Sequence, residues 1–157
     1  MRPNKKTLLK FWQAEQAFPR WFKASGQTWR NADTPELFLE WCADNRVYAI
    51  KNEGLIYVEN TGEVNFSMFR GADVDEMVDS FIDLREELFK EFNTIFCWVL
   101  RQNRKLQQIV ESVGLRFTGL KMLHGESHGK VLEWHCYSLR KSQKEIAFDY
   151  SKMLNFR

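Results

Sequence analysis

Cysteine, proline and net charge are all scarce in this sequence of 157 residues. The three cysteines, Cys42, Cys97 and Cys136, are odd in number and widely spaced, with no Cys-x-x-Cys pair. That excludes a disulfide framework or a zinc ribbon and predicts buried, reduced thiols in a cytosolic compartment. No apolar run is long enough to span a bilayer, and the start MRPNKKTLLKFW lacks the apolar stretch and cleavage site of a secretory leader. No repeat or low-complexity segment is present, so solenoids and disordered tails are not expected. With 23 basic and 21 acidic residues, the net charge of +2 gives no expectation of nucleic-acid binding.

What is abundant is apolar and aromatic material, 44% and 15% of the chain. A length of this order with that content predicts one domain with a sizeable core. We expect residues 1–139 to form it, helical over 1–45 and a sheet core over 46–139, with 140–157 as an amphipathic tail. The charge is unevenly laid out: residues 1–30 carry 7 basic and 1 acidic side chains, residues 31–95 carry 5 and 15, and residues 96–157 carry 11 and 5. Such asymmetry is what a partner surface leaves in a sequence.

Helical spacing of Leu8, Phe11, Trp12 and Phe18 predicts a first helix from Thr7 towards Ala24, kinked or ended at Pro19. Asp33-Thr34-Pro35-Glu36 reads as a helix start, with Thr34 as N-cap and Pro35 at the first helical position. From Val47 the period changes to two. Arg46 to Lys51 and Leu55 to Glu59 read as a hairpin, followed by the turn Asn60-Thr61-Gly62 and a strand from Val64 to Phe69.

The stretch Val64 to Leu115 then organises the rest. Its periods give strand, loop, a long amphipathic helix over Val74 to Phe92, a strand Ile95 to Val99, an Asn103-capped helix, and a stop at Gly114. This order predicts a βαβ core with a crevice at the strand ends. Arg116 to Leu123 and Lys130 to Leu139 follow as strands around the tip His124 to Gly129. His124, His128, His135 and Glu126 lie near one another in sequence, but a hairpin tip does not hold metal ligands at fixed spacing, so no metal is expected.

The order of elements over residues 46–139, the loop Arg70-Gly71-Ala72-Asp73-Val74-Asp75 and the run Asn103 … Val110 … Gly114-Leu115 resemble the central half of the GNAT N-acetyltransferase superfamily. That family moves an acetyl group from acetyl-CoA to an amine. The resemblance implies an α/β fold with a mixed, mostly antiparallel sheet, one parallel strand pair splayed at its centre, and helices on both faces. The family's loop is R/Q-x-x-G-x-G/A, whose backbone N–H groups cradle the CoA pyrophosphate at a helix N-terminus. Arg70 and Val74 fit that pattern, whereas Asp73 and Asp75 stand where it has glycine. Either aspartate can equally serve as an N-cap or first-turn carboxylate.

By resemblance, acetyl-CoA would lie along Phe66, Ser67, Met68 and Phe69, with Arg70, Gly71, Ala72, Asp73, Val74, Asp75 and Asn103 around its phosphates. Val110 takes the place of a Tyr that acts as general acid in many members, and a valine has no proton to give. Glu59, Glu63 and His128 are the candidate acceptor-side bases, with Glu126 beside His128. Partners would be an amine substrate or a protein. The chain is also similar in size, aromatic-rich N-terminus and altered loop to small GNAT-like proteins of tailed bacteriophages. That similarity implies an inactive scaffold in virion or head assembly or another protein-binding module, while the tail over 140–157 would either dock on the domain or bind a partner, an oligomer through it included.

Overall fold

A computed structural model describes residues 3–17, 34–51, 53–69 and 71–142. Helix α1 (Lys5–Ala17) begins where the Asn4 side chain accepts from the Thr7 N–H at 2.8 Å. Helix α2 (Pro35–Asp44) begins as its sequence requires, the Thr34 hydroxyl accepting from the Leu37 N–H at 3.2 Å and Pro35 opening the first turn. The expected continuation of the first helix to Ala24, Arg70, and the tail from Gln143 onward lie outside the described residues.

Six strands follow in two antiparallel three-stranded sheets. The first is ordered β1 (Arg46–Ile50), β2 (Gly54–Val58), β3 (Val64–Met68). The second has β6 (Lys130–Arg140) between β4 (Thr94–Leu100) and β5 (Arg116–Ser127). Helix α3 (Val74–Leu88) crosses from β3 to β4, and α4 (Arg104–Val113) joins β4 to β5. The mixed α/β architecture expected from the order of elements is thus what the chain adopts.

Alternation within the strands decides what each side chain meets. Ile56, Val58, Val64 and Phe66 join Ile95, Cys97 and Val99 in a core closed by Met77, Phe81 and Leu84 of α3 and Ile109, Val110 and Val113 of α4. The opposite face of the first sheet, through Val47, Leu55 and Tyr57, packs on Leu8, Phe11, Phe38 and Cys42 of α1 and α2. Burying each Leu, Ile, Val or Phe of this kind is worth about 1.5–3 kcal/mol, which fixes both helical layers to the sheet. All three cysteines are free and buried.

Two expectations change. Among the described residues strands β3 and β4 form no parallel ladder; they meet through one parallel bridge, Glu63 to Phe96, with the Phe96 N–H donating to Gly62 O at 3.2 Å. Gly62 makes that approach feasible, since its φ is +91° and a Cβ there would stand 2.5 Å from the Thr94 carbonyl. Beyond the bridge each strand is paired on its outer side only, so the two sheets open towards the strand C-termini.

The second change is at the last hairpin. Strand β5 runs to Ser127 instead of stopping at Leu123, and only His128 and Gly129 form the turn. Their φ values of 52° and 76° are both positive, the signature of a two-residue type I′ turn that matches strand twist. A bulge between Leu123 and Glu126 absorbs Gly125, which read as loop, and a second between Phe117 and Lys121 falls at Gly119 inside the expected strand.

Candidate functional site

The single bridge places Glu63 at the point where the two sheets meet. Val64 faces the α3 side, so Glu63 faces the α1 and α2 side, and on β2 the alternation Leu55, Tyr57, Glu59 brings Glu59 to that same face. The backbone closes the pair, the Glu59 N–H donating to Glu63 O at 2.9 Å. Glu63 is half-buried, and burial pushes its carboxyl up to about 8, helped by a hydrogen bond with Glu59 and by that residue's charge. Glu63 therefore keeps its proton to near neutral pH.

Burial first, then the Glu59 and Glu63 charges, raise the Tyr57 phenol as well, against the opposing pull of Arg46. Arg46 itself is engaged elsewhere, by Glu91, by Asn60 and by the ring of Phe92 at 5.4 Å. Beside the pair lies an open groove of about 370 Å³, whose walls include Asp44, Asn45, Arg46, Tyr57, Glu59 and Asn60. With the Arg46 charge taken up by Glu91, Asp44 and Glu59 leave the groove wall open to an ammonium group, with Glu63 backbone-paired to Glu59 beside it.

His128 does not share this place. Glu63 is level with Phe96, Phe96 with Ser138, and the turn lies beyond Lys130, so His128 sits about 25 Å away along β6 at 3.3 Å per residue. It is exposed at the hairpin turn. His135 is likewise engaged, its Nε2 2.8 Å from Glu133 Oε2 and its ring stacked on Phe117 at 4.9 Å. Among the described residues no group of three His, Cys, Asp or Glu converges as a metal requires.

On the other side of the opening stand the residues that the resemblance assigns to a cofactor. Phe66 is buried against Phe81, ring centroids 5.1 Å apart, and Ser67 is buried too. Met68 packs on the α3 core, while Phe69 turns to the α1 side, 5.8 Å from Phe11. Gly71 has φ +78°, but a Cβ there would meet nothing within 4 Å, and Ala72 is buried.

Asp73 is the N-cap of α3: its Oδ1 accepts from the Glu76 N–H at 3.1 Å. Its own N–H donates to the carboxylate of Glu53 at 2.9 Å. Asp75 is exposed in the first turn, and Lys51 pairs with Glu76. Two of the four amides that open the helix are thus already held by the chain's own carboxylates.

Asn103 caps α4, its Oδ1 accepting from the Leu106 N–H at 3.1 Å. Val110 is fully buried in the core. The residues around the α3 head therefore do not fit the pyrophosphate of CoA. Acidic groups fill the place of an anion, glycine does not bring the backbone close, and no side chain at position 110 can donate a proton. Glu53 was not singled out by the sequence, because its contact with Asp73 joins residues 20 apart through one side chain.

No family model matches this sequence, and no curated protein sequence matches it. Solved structures do. Spermidine N-acetyltransferase from Vibrio cholerae, solved with CoA and spermine, is 14% identical with a TM-score of 0.67, covering 91% of this chain and 95% of its own. A ribosomal-protein-alanine N-acetyltransferase from Brucella melitensis is 10% identical with a TM-score of 0.68, covering 89% and 98%. A GNAT-family acetyltransferase from Bacillus anthracis is 11% identical with a TM-score of 0.64, covering 90% and 93%. The chain therefore has the fold of the GNAT acetyltransferases. No helix among the described residues is long and apolar enough to cross a membrane.

Proposed function

We propose that this chain is an acyltransferase-fold protein that recognises a primary amine at the face formed by Tyr57, Glu59 and Glu63, with residues 1–139 acting as one domain. Recognition, not acetyl-CoA turnover, is its task. The observation that carries this reading is the half-buried carboxyl pair at the one parallel bridge between the sheets. Two carboxyls in contact hold a proton because they cannot both stay ionised; an ammonium group entering the groove lets both ionise and displaces that proton. Amine binding should therefore release a proton near neutral pH.

The spermine bound to one fold neighbour supports a polyamine as the first probe. Calorimetric titration of spermidine, and of a lysine-rich peptide, in two buffers of different ionisation enthalpy measures both affinity and released protons. Binding with proton release is expected, weakened on the order of tenfold or more in Glu63→Gln, in line with a charged hydrogen bond worth about 1.5–3 kcal/mol. No binding, or binding indifferent to Glu63, would remove the reading. The virion or head-assembly role implied by the likeness to phage proteins is the same recognition applied to a basic segment of a protein partner, with residues 140–157 as a further contact.

A second reading, an active N-acyltransferase, is favoured by one observation: a carboxyl that titrates at about 8 is tuned to take a proton from an ammonium group. Glu63 would then be the acceptor-side base. Acetyl-CoA-dependent thiol release with spermidine, lost in Glu63→Gln, would establish it in place of the first.

A further inference from the structure

Lys51 and Glu53, which flank the centre of the β1–β2 turn, both reach the head of α3, and Glu53 is attached at several points. The Phe69 N–H donates to Glu53 O at 2.8 Å, and the Glu53 N–H to Ile50 O at 2.7 Å, so the Glu53 backbone is pinned where β3 ends. Gly54 lets the turn press against that strand, since a Cβ there would stand 2.3 Å from the Ser67 carbonyl. From this position two side chains reach the helix: Glu53 takes the Asp73 N–H at 2.9 Å, and Lys51 pairs with Glu76.

A helix N-terminus attracts an anion through its unpaired N–H groups and its partial positive charge. Here that anion is supplied by the chain. We infer that the β1–β2 turn is an internal plug, in which the Glu53 carboxylate stands where a phosphate group would and closes the α3 head to CoA and to other pyrophosphate-bearing ligands. A phosphate would have to displace Glu53 from the Asp73 amide beside Asp73, Asp75 and Glu76, with Lys51 already paired to Glu76. Like charges repel more strongly where water is partly excluded, so the carboxylate that holds the amide itself weighs most against binding.

The inference is independent of the amine site, and its test uses no amine. Inorganic pyrophosphate and CoA are titrated calorimetrically at low salt into the full-length protein, Glu53→Ala and Asp75→Asn. Hydrogen exchange is followed at the Asp73 amide. The native protein should give no saturable heat with either probe, and its Asp73 amide should be protected. Glu53→Ala should bind pyrophosphate on the order of tenfold or more above the native protein and exchange Asp73 faster, whereas Asp75→Asn, which leaves the Glu53 contact intact, should change both much less.

Saturable binding of either probe by the native protein overturns the plug. So does an equal gain in Glu53→Ala and Asp75→Asn, which would show bulk charge at work instead of this contact, and so does no gain in Glu53→Ala. Should Glu53→Ala not fold, Glu53→Gln keeps the shape without the charge and must show the gain; a Gln variant that still rejects pyrophosphate overturns the inference.

Discussion

Replacing Glu63 by Gln should change how stability depends on pH, and the sign follows from which state holds the proton. The Glu63 carboxyl titrates at about 8 in the folded protein against 4.5 when unperturbed, so between those values the folded state keeps a proton that the unfolded state has lost. Stability then falls as pH rises through that window, because the unfolded state binds fewer protons. The contribution is complete below about 4.5, is lost progressively, and is gone above about 8. A group wholly removed from water would lose about 5 kcal/mol over this range at about 1.4 kcal/mol per pKa unit. Glu63 is only half-buried, and screening brings the expected loss to about 2 kcal/mol.

Gln has the shape of the protonated acid and no charge to gain. Glu63→Gln should therefore match the native protein near pH 4.5 and exceed it by about 2 kcal/mol near pH 9. Urea unfolding followed by the fluorescence of the six tryptophans measures both forms across the range. Parallel loss of stability in the two proteins would refute the raised carboxyl.

Asn103→Ala should cost about 0.5–2 kcal/mol and Asn103→Asp much less, since the amide oxygen holds the Leu106 N–H at 3.1 Å; equal losses in denaturant midpoints would contradict a capping role. Val110→Tyr, which would restore the family's acid by analogy, should instead destabilise by about 1–3 kcal/mol through overpacking of a fully buried site, and thiol release from acetyl-CoA should not rise. The thiols should resist alkylation in the folded state: burial pushes Cys42 up to about 12 and Cys97 higher, so labelling should track unfolding when followed by mass spectrometry, and a fast-reacting fraction would argue against the packing described.

What could be read from the sequence was local. Thr34-Pro35, Asn103 and Gly114 mark helix ends because a cap acts within three or four residues of itself, and the structure shows each at its post. The long α3 stripe was legible because its period is its own. The β5 end was not: His124-Gly-Glu-Ser-His-Gly reads as loop, yet two residues with positive φ suffice for the turn and bulges take up the rest. Parallel pairing leaves no periodic trace, so the sequence could suggest β3 and β4 as neighbours but not that, among the described residues, their backbones bridge only at Glu63 and Phe96. The Glu53 contact is legible only in three dimensions, whereas Asp73 and Asp75 already announced that an anion would be unwelcome there.

The claim that joins the two halves of the site is that this fold keeps a place for an amine and has closed the place for the cofactor. Thermal unfolding of the native protein with and without acetyl-CoA at low salt tests it most directly. A ligand at 100 times its dissociation constant stabilises by about 2.7 kcal/mol, which for a domain of this size is a rise in Tm of about 5–10 °C. No shift at any acetyl-CoA concentration that spermidine needs to give one is the expected result; a saturable rise with acetyl-CoA alone would contradict the account.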